Sequence, residues 1–297
     1  MPERRETPRR AKPRRPARAP KRRPSDDTDW SEGERIAKYL ARAGIASRRE
    51  AEAMIERGEI RVDGRKLTTP AFKVTGREDI RVNGKRVRSP ETVRLWRYHK
   101  PAGLITTTSD PKGRRTIFEE LPKALPRTMT VGRLDLTTEG LLLLTNDGGL
   151  ARALELPETG LKRHYRARVH GEVTGEAVEQ LRNGITLADG QTYAPIIASV
   201  ERTMGANSWV DVSLSEGKNR EIRNAFEHLD LMVNRLIRTG YGPFSLGELK
   251  PGAVEEIPAG EIRKLLKGHV PDTCLPLEAT KRPHSTRPNK RAPKPPR

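Results

Sequence analysis

The chain has one cysteine, Cys274, in 297 residues. It therefore holds no internal disulfide framework and no thiolate-rich zinc site. Histidines are equally sparse, and His99, His164, His170, His228, His269 and His284 fall at no paired ligand spacing. The sequence carries no Gly-x-x-x-x-Gly-Lys-Ser/Thr loop for nucleotide phosphates and no Gly-x-Ser-x-Gly elbow for acyl transfer. No apolar run approaches the length of a membrane span, and the N-terminus has charge without an apolar core segment. A cytoplasmic protein without membrane contact is expected. Aromatic residues make up only 4% of the chain and hydrophobic residues 34%. That is low for one compact body of this length and predicts disordered segments beside two modest domains.

What is abundant is positive charge, +19 in net. It is unevenly placed. Residues 1–24 contribute +9 and residues 281–297 contribute +7, which leaves only +3 for residues 25–280. Both ends are rich in proline and poor in apolar side chains, a composition that cannot bury enough surface to fold. A polyanion is their natural partner, bound in a salt-dependent way.

The stretch around which the rest is organised is Val131-Gly132-Arg133-Leu134-Asp135-Leu136-Thr137-Thr138-Glu139-Gly140, followed by four leucines, Leu141 to Leu144. The leucines predict a buried strand ended by a turn over 145–149. Asp135 then sits in a connection just ahead of a rigid element, where a side chain can be held in fixed geometry. Two readings stand side by side. Asp135 either caps a local turn or carries chemistry, and with Glu139 it would form a carboxylate pair of the kind that serves glycosidic bonds.

Upstream, Ile36, Ala37, Leu40 and Ala41 recur at helical spacing, and Ser47-Arg48-Arg49-Glu50 is a capping box opening a second helix. Two alternating segments follow, each centred on a tight turn, Asp63-Gly64 and Asn83-Gly84, and each predicts a hairpin. Past a linker near Pro90, the pattern predicts a strand over 93–98, a turn over 99–103 and a short helix around Ile117. Further strands are predicted over 162–169, 208–214, 233–237 and 244–249, with a hairpin around Asp189-Gly190. Helices are predicted from Thr174 to Gly184, from Glu221 to about His228 and over 262–266. Strands with interspersed helices but no strict βαβ alternation indicate an α+β chain with a mixed or antiparallel sheet.

Two resemblances sharpen this. Residues 34–41, 44–51 and 60–64 resemble the alpha-L RNA-binding module, the S-four type. By position the resemblance implies Arg48 and Arg49 as RNA contacts; the plain reading of such charges is a solvated helix face. Five further segments resemble the pseudouridine synthases of bacterial ribosomal RNA, in the branch led by an alpha-L module and most nearly the B type of the large subunit. They are residues 98–103, 132–135, 140–148, 162–165 and 216–223, and Val233-Asn234-Arg235-Leu236-Ile237-Arg238 completes the set. Asn224 stands where relatives usually place a further basic residue.

Composition places disordered basic tails over 1–30 and 269–297, and the resemblance implies an RNA-binding module over 31–88 and a catalytic domain over 93–268. It implies isomerisation of a uridine in ribosomal RNA, large subunit favoured, by a monomer that needs no cofactor and no metal. Asp135 would be the catalytic carboxylate, acting as nucleophile or as base. Arg223 would pair with it, Tyr165 would stack on the base, and Leu236 would form the opposite wall. Arg133, Lys218 and Arg220 would hold substrate, and Lys162, Arg163 and Arg166 the distorted backbone. The competing reading is a non-catalytic ribosome-assembly factor with the same fold, and a third is a glycosidase that would release free base.

Overall fold

The computed structural model describes residues 33–277, so the tail assignments for 1–30 and beyond 277 lie outside the described residues. Helix α1 (Ile36–Arg42) buries Ile36, Ala37, Tyr39 and Leu40. Helix α2 (Arg48–Glu56) starts where the Ser47 hydroxyl accepts the Glu50 amide, and it buries Ala51, Met54 and Ile55. The two hairpins follow, entered by β1 (Ile60–Val62) and β2 (Ile80–Val82). Asp63 and Asn83 both sit at φ 48°, and Gly64 and Gly84 both at φ 79°. Successive positive φ values are what a two-residue turn of this hand requires, and Asp-Gly and Asn-Gly are the dipeptides that adopt them at least cost. Strands β1 and β2 pair antiparallel, so the hairpins join into one four-stranded sheet under the helices.

The second unit is built on a nine-stranded sheet. Its principal elements are β3 (Leu95–Lys100), α3 (Ile117–Glu120), β4 (Thr138–Thr145), α4 (Gly148–Glu155), β5 (Arg163–His170) and α5 (Gly175–Asn183). After these come β6 (Ile197–Met204), β7 (Asn207–Leu214), α6 (Glu221–Glu227), β8 (Met232–Tyr241), β9 (Val254–Ile257) and α7 (Ala259–Leu266). The order across the sheet is β6-β7-β5-β8-β4-β3-β9. Only the β8–β4 junction on this path is parallel. The sheet is therefore mixed, as expected.

Strand β4 is buried on both faces, which is why its sequence is a continuous apolar run. Leu141 and Leu143 pack with Leu150 and Leu154 of α4 and Ile262 and Leu266 of α7. Leu142 and Leu144 pack on the other side with Tyr98, Ile117 and Leu134. The far end of the sheet has its own core, where α5 and α6 bring Leu181, Ile222 and Phe226 against Ala167, Val210 and Leu236. The two units touch: Arg42 Nε lies 3.0 Å from Asp147 Oδ2, and Arg127 donates to the Ala46 carbonyl at 2.6 Å. Among the described residues no helix is long and apolar enough to cross a membrane.

Three details differ from the sequence-based expectation. Strand β3 continues through His99 and Lys100, because the turn begins only at Pro101, which has no N–H to offer the ladder. The strand expected over 244–249 is reduced to Phe244–Ser245, since the backbone turns at Gly247 (φ 56°) and the Leu249 amide bonds back to the Leu246 carbonyl. Residues 269–277, assigned to the tail, pack on the fold: Val270 and Leu275 are buried in the core shared by α4 and α7. Two isolated apolar residues among polar ones gave no periodicity to register.

Parallel pairing of β4 with β8 depends on Gly140. Its φ is +101°, and a Cβ there would lie 2.2 Å from the Arg238 carbonyl oxygen. Gly103 also has a positive φ, +85°, but open space around it. Gly140→Ala is expected to cost about 3–5 kcal/mol, backbone strain and steric overlap combined. Gly103→Ala is expected to cost roughly 1–2 kcal/mol from backbone strain alone. Urea denaturation of both variants checks this; equal losses would contradict it.

Candidate active site

Asp135 lies on the connection from Val131 to Thr137, between the short strand Met129–Thr130 and β4. That connection is fixed from three sides. Thr106 Oγ1 donates to the Leu134 carbonyl at 2.8 Å, the Gly103 amide donates to the Leu136 carbonyl at 2.8 Å, and the Thr138 amide closes back onto the Asp135 carbonyl at 3.1 Å. Beneath it runs Lys100 from the end of β3, 0% exposed. Its ammonium donates to the carbonyls of Thr138 (2.9 Å), Pro101 (3.0 Å) and Asp135 (3.1 Å), with Leu136 O at 3.5 Å. Burial pulls its pKa down from 10.5 to about 8, against the opposing pull of Asp135 and Glu139. At pH 7 it is therefore still charged and still binds the backbone under Asp135. Within the 98–103 motif nothing in the sequence sets this lysine apart except its position just before a proline at a strand end.

The Asp135 side chain is half-buried. Its carboxylate has no hydrogen bond or ion pair among the described residues, although it acts electrostatically on both Lys100 and Arg223. It opens onto a cleft of about 1010 Å³. Tyr165 and Leu236 line the same cleft, as do Arg133, Arg163, Lys218 and Arg220. Tyr165 projects from β5 and packs between the two core clusters on that side of the sheet. Leu236 stands on β8, in register with Thr138 of β4 on one side and Ala167 of β5 on the other.

Arg223 approaches from α6 but lies behind the lining. Its guanidinium donates to the Val233 carbonyl at 2.6 Å and to the Thr137 carbonyl at 3.4 Å, two residues past Asp135. Its Nε is buried without a partner. Burial lowers its pKa first and Arg220 second, while Asp135 works in the opposite direction. An arginine stays protonated under all these influences.

The remaining basic residues divide by environment. Arg163 is turned inward, 8% exposed, bonded to the Leu161 and Ser215 carbonyls and the Tyr241 hydroxyl. Arg166 is paired with Glu201 and lies over the Trp209 ring at 4.6 Å. Lys218 is held by Glu216 at 2.9 Å and by the Thr192 carbonyl at 2.7 Å. Arg133, Lys162 and Arg220 are exposed, as are Arg48 and Arg49 on the first turn of α2. Arg48, Arg49 and Lys162 are not among the cleft-lining residues. Glu139 does not join Asp135 as a carboxylate pair: it is held by Arg235 through two hydrogen bonds of 2.9 Å and stands outside the cleft lining. The buried Arg238, Tyr241 and Glu221 also line the cleft, and no periodicity in the sequence marks them as doing so.

Comparison with known proteins agrees with this architecture. The RNA pseudouridylate synthase family matches residues 94–228, and the S4 domain matches residues 34–80. A Rickettsia felis protein named as an uncharacterized RNA pseudouridine synthase is 47% identical over 224 residues, covering 75% of this chain and 96% of its own. The ribosomal large subunit pseudouridine synthase B of Pasteurella multocida is 40% identical over 270 residues, covering 88% of this chain and 76% of its own. Among solved structures, a crystal structure of a pseudouridylate synthase superposes with a TM-score of 0.55 at 24% identity, covering 78% of this chain and 99% of the other, which supports the fold. The chain thus belongs to the RNA pseudouridine synthases, isomerases of RNA uridine, with an S4 module ahead of the catalytic domain.

Proposed function

We propose that this enzyme isomerises a specific uridine in the ribosomal RNA of the large subunit, with Asp135 as the catalytic carboxylate. The observation that carries the reading is the unpaired Asp135 carboxylate in a cleft shared with Tyr165 and Leu236, on a backbone bound from below by Lys100. The relative named ribosomal large subunit pseudouridine synthase B supports the choice of RNA.

The reaction breaks the C1′–N1 bond of the uridine, turns the uracil and joins C1′ to C5. The C5 hydrogen leaves as a proton and a proton is taken up at N1, so every atom is conserved. A carboxylate beside the sugar begins this either by attacking C1′ or by removing a sugar proton. Both routes need the ionised form. Arg223 and the Lys100 ammonium are the two cations on which Asp135 acts electrostatically. The buried Nε of Arg223, which has no partner among the described residues, is the donor this reading offers to Asp135.

To reach the carboxylate the uridine leaves its stack, at a cost of a few kcal/mol. Tyr165 returns part of that by stacking, worth about 1–3 kcal/mol per base, and Leu236 closes the other face. Arg133 and Arg220 take phosphates at the cleft mouth. Lys162 holds the strand-side backbone, and Arg48 and Arg49 grip structured RNA from the S4 module. Arg163 shapes the floor of the cleft.

Asp135→Asn is expected to abolish pseudouridine formation while RNA affinity changes less than about threefold, a neutral isostere leaving the cleft shape intact. Mapping modified positions in ribosomal RNA from cells with and without the gene tests the substrate, and a glycosidase would betray itself by free uracil. Isomerisation that survives in Asp135→Asn rejects the assignment.

Lys100→Met removes the ammonium and frees the Asp135 backbone. It is expected to lower kcat by about a hundredfold, the size of effect a displacement of about 1 Å produces, with RNA affinity nearly unchanged. In the wild type, kcat falls as the pH rises past about 8, where Lys100 loses its proton. Stability moves the other way: the unfolded chain holds this proton up to about 10.5, so the cost of burying the charge disappears as pH rises from about 8 to 10.5. A pH series of kcat and of thermal midpoint checks both signs.

A further inference from the structure

The loop from Ser215 to Arg220 joins β7 to α6 and borders the cleft. Its shape is set by two glutamates. Glu221, the first residue of α6, is 4% exposed. One carboxyl oxygen, Oε2, accepts the Lys218 amide at 2.9 Å. The other, Oε1, is buried with no donor to meet it. The carboxyl of Glu216 neighbours that of Glu221; its own Oε1 accepts the Ala194 amide at 2.6 Å and its Oε2 binds the Lys218 ammonium at 2.9 Å.

Two ionised carboxylates at this contact would repel in a site with little water, so the arrangement requires a hydrogen between them. Supplying it removes the orphan: a protonated Glu221 donates from Oε1 to Glu216. We propose that Glu221 and Glu216 are positioning residues that share one proton, and that this hydrogen bond clasps the 216–220 loop in the form that presents Arg220 to RNA phosphate. The proposal rests on reading the Asp135 cleft as the place where RNA binds.

The surrounding charges support the assignment of the proton. Burial, then the Glu216 carboxylate, pushes the Glu221 pKa up to about 8. Burial resists the charge on Glu216 too, but the Ala194 amide, Lys218 and the Glu221 acid outweigh it and hold its pKa low. From the loop the pair faces Lys218, whose amide and ammonium both bind it. The strand Thr192–Tyr193 contributes the Thr192 carbonyl and the Tyr193 ring, over which Lys218 lies at 5.9 Å. On the β5 side Arg163 Nε approaches Gly217. The clasp also sets the backbone beyond it: Arg220 is held at φ +50°, an unfavourable value for a side-chain-bearing residue, as the N-cap of the helix that carries Arg223.

The consequence is a pH limit on binding that is separate from the chemistry. As pH rises through about 8, Glu221 ionises, the carboxylates part and a new negative charge stands beside the phosphate path. Stability follows the same sense. The acid titrates near 4.5 when unfolded and about 8 when folded, so its contribution is full below 4.5 and lost as pH rises through about 8.

The test measures affinity of the full chain for fluorescein-labelled oligouridylate from pH 6.5 to 9, with circular dichroism at each point to verify the fold. Wild type is expected to lose about tenfold in affinity across the upper half of this range, the order of one charge-assisted hydrogen bond. Glu221→Gln keeps a neutral donor, and its affinity is expected to match wild type at pH 7 and stay flat to pH 9. Glu216→Gln removes the repelling charge and is expected to move the wild-type transition to lower pH, a readout that remains if Glu221→Gln fails to fold. A wild type whose affinity does not change, or a Glu221→Gln or Glu216→Gln curve that tracks wild type, overturns the proposal. Asp135→Asn assayed in parallel separates the two claims. Activity surviving there removes the reading of the cleft, whereas an inactive Asp135→Asn beside a pH-insensitive wild type removes only the clasp.

Discussion

A buried ammonium gripping backbone carbonyls holds this site together. Lys100 reaches from the end of β3 under the Asp135 connection and binds oxygens of Pro101, Asp135 and Thr138, with Leu136 at the edge of range. A charge taken out of water is costly unless every donor is met, and a loop of irregular backbone leaves carbonyls that need donors. Each requirement answers the other. A neutral donor in the same place would satisfy fewer carbonyls, and a flexible loop would leave the ammonium without a cage. The result is a carboxylate with fixed position and a free side chain, which an ordinary ion-paired aspartate cannot offer.

The sheet supplies the rest of the geometry through one close approach. Because Gly140 lets β8 run against β4 in parallel, Leu236 comes into register with Thr138, three residues beyond Asp135. Strand β5 then pairs antiparallel to β8 and sets Tyr165 opposite Arg238. Three adjacent strands thus deliver the carboxylate loop, the apolar wall and the aromatic ring to one cleft, although the three residues are spread over about a hundred positions of sequence. Loops built on a packed sheet can hold such a constellation more tightly than loops supporting one another.

Local chemistry made much of the fold legible. Asp63-Gly64, Asn83-Gly84 and the leucine run of β4 each state a structure within a few residues, and the chain adopts each one; of the capping box at Ser47 it adopts the serine half, the Glu50 carboxylate turning to Arg57 instead. The convergence of Asp135, Tyr165 and Leu236 became legible only through ordered motifs, because no periodicity relates distant strands. What stayed hidden depends on tertiary burial. Lys100 looks like any strand-end lysine until its side chain is seen to be enclosed. Arg163 looks like its exposed neighbour Lys162, yet the alternation of the strand turns it toward Tyr241. Glu139 looks like a partner for Asp135, but the pleat sends it to Arg235. Val270 and Leu275 look like tail residues, because two apolar side chains carry no pattern until a core receives them.

The distribution of cations around the cleft separates grip from choice. Lys218 is neutralised by Glu216, Arg163 is consumed by carbonyls and a hydroxyl, and Arg238 is buried with its Nε on the Leu141 carbonyl. Arg133 and Arg220 remain exposed at the cleft, with no carboxylate partner among the described residues. Two phosphate contacts account for a log–log salt slope of only about 1.4–1.8, too little to hold a structured RNA against cellular salt. On the proposed reading the larger electrostatic share falls to residues away from the chemistry, Arg48 and Arg49 on α2 and the basic ends of the chain. The cleft is then left to discriminate by shape and stacking. That division leaves Lys100 and Arg223, both fixed by backbone carbonyls, as the cations that Asp135 acts on.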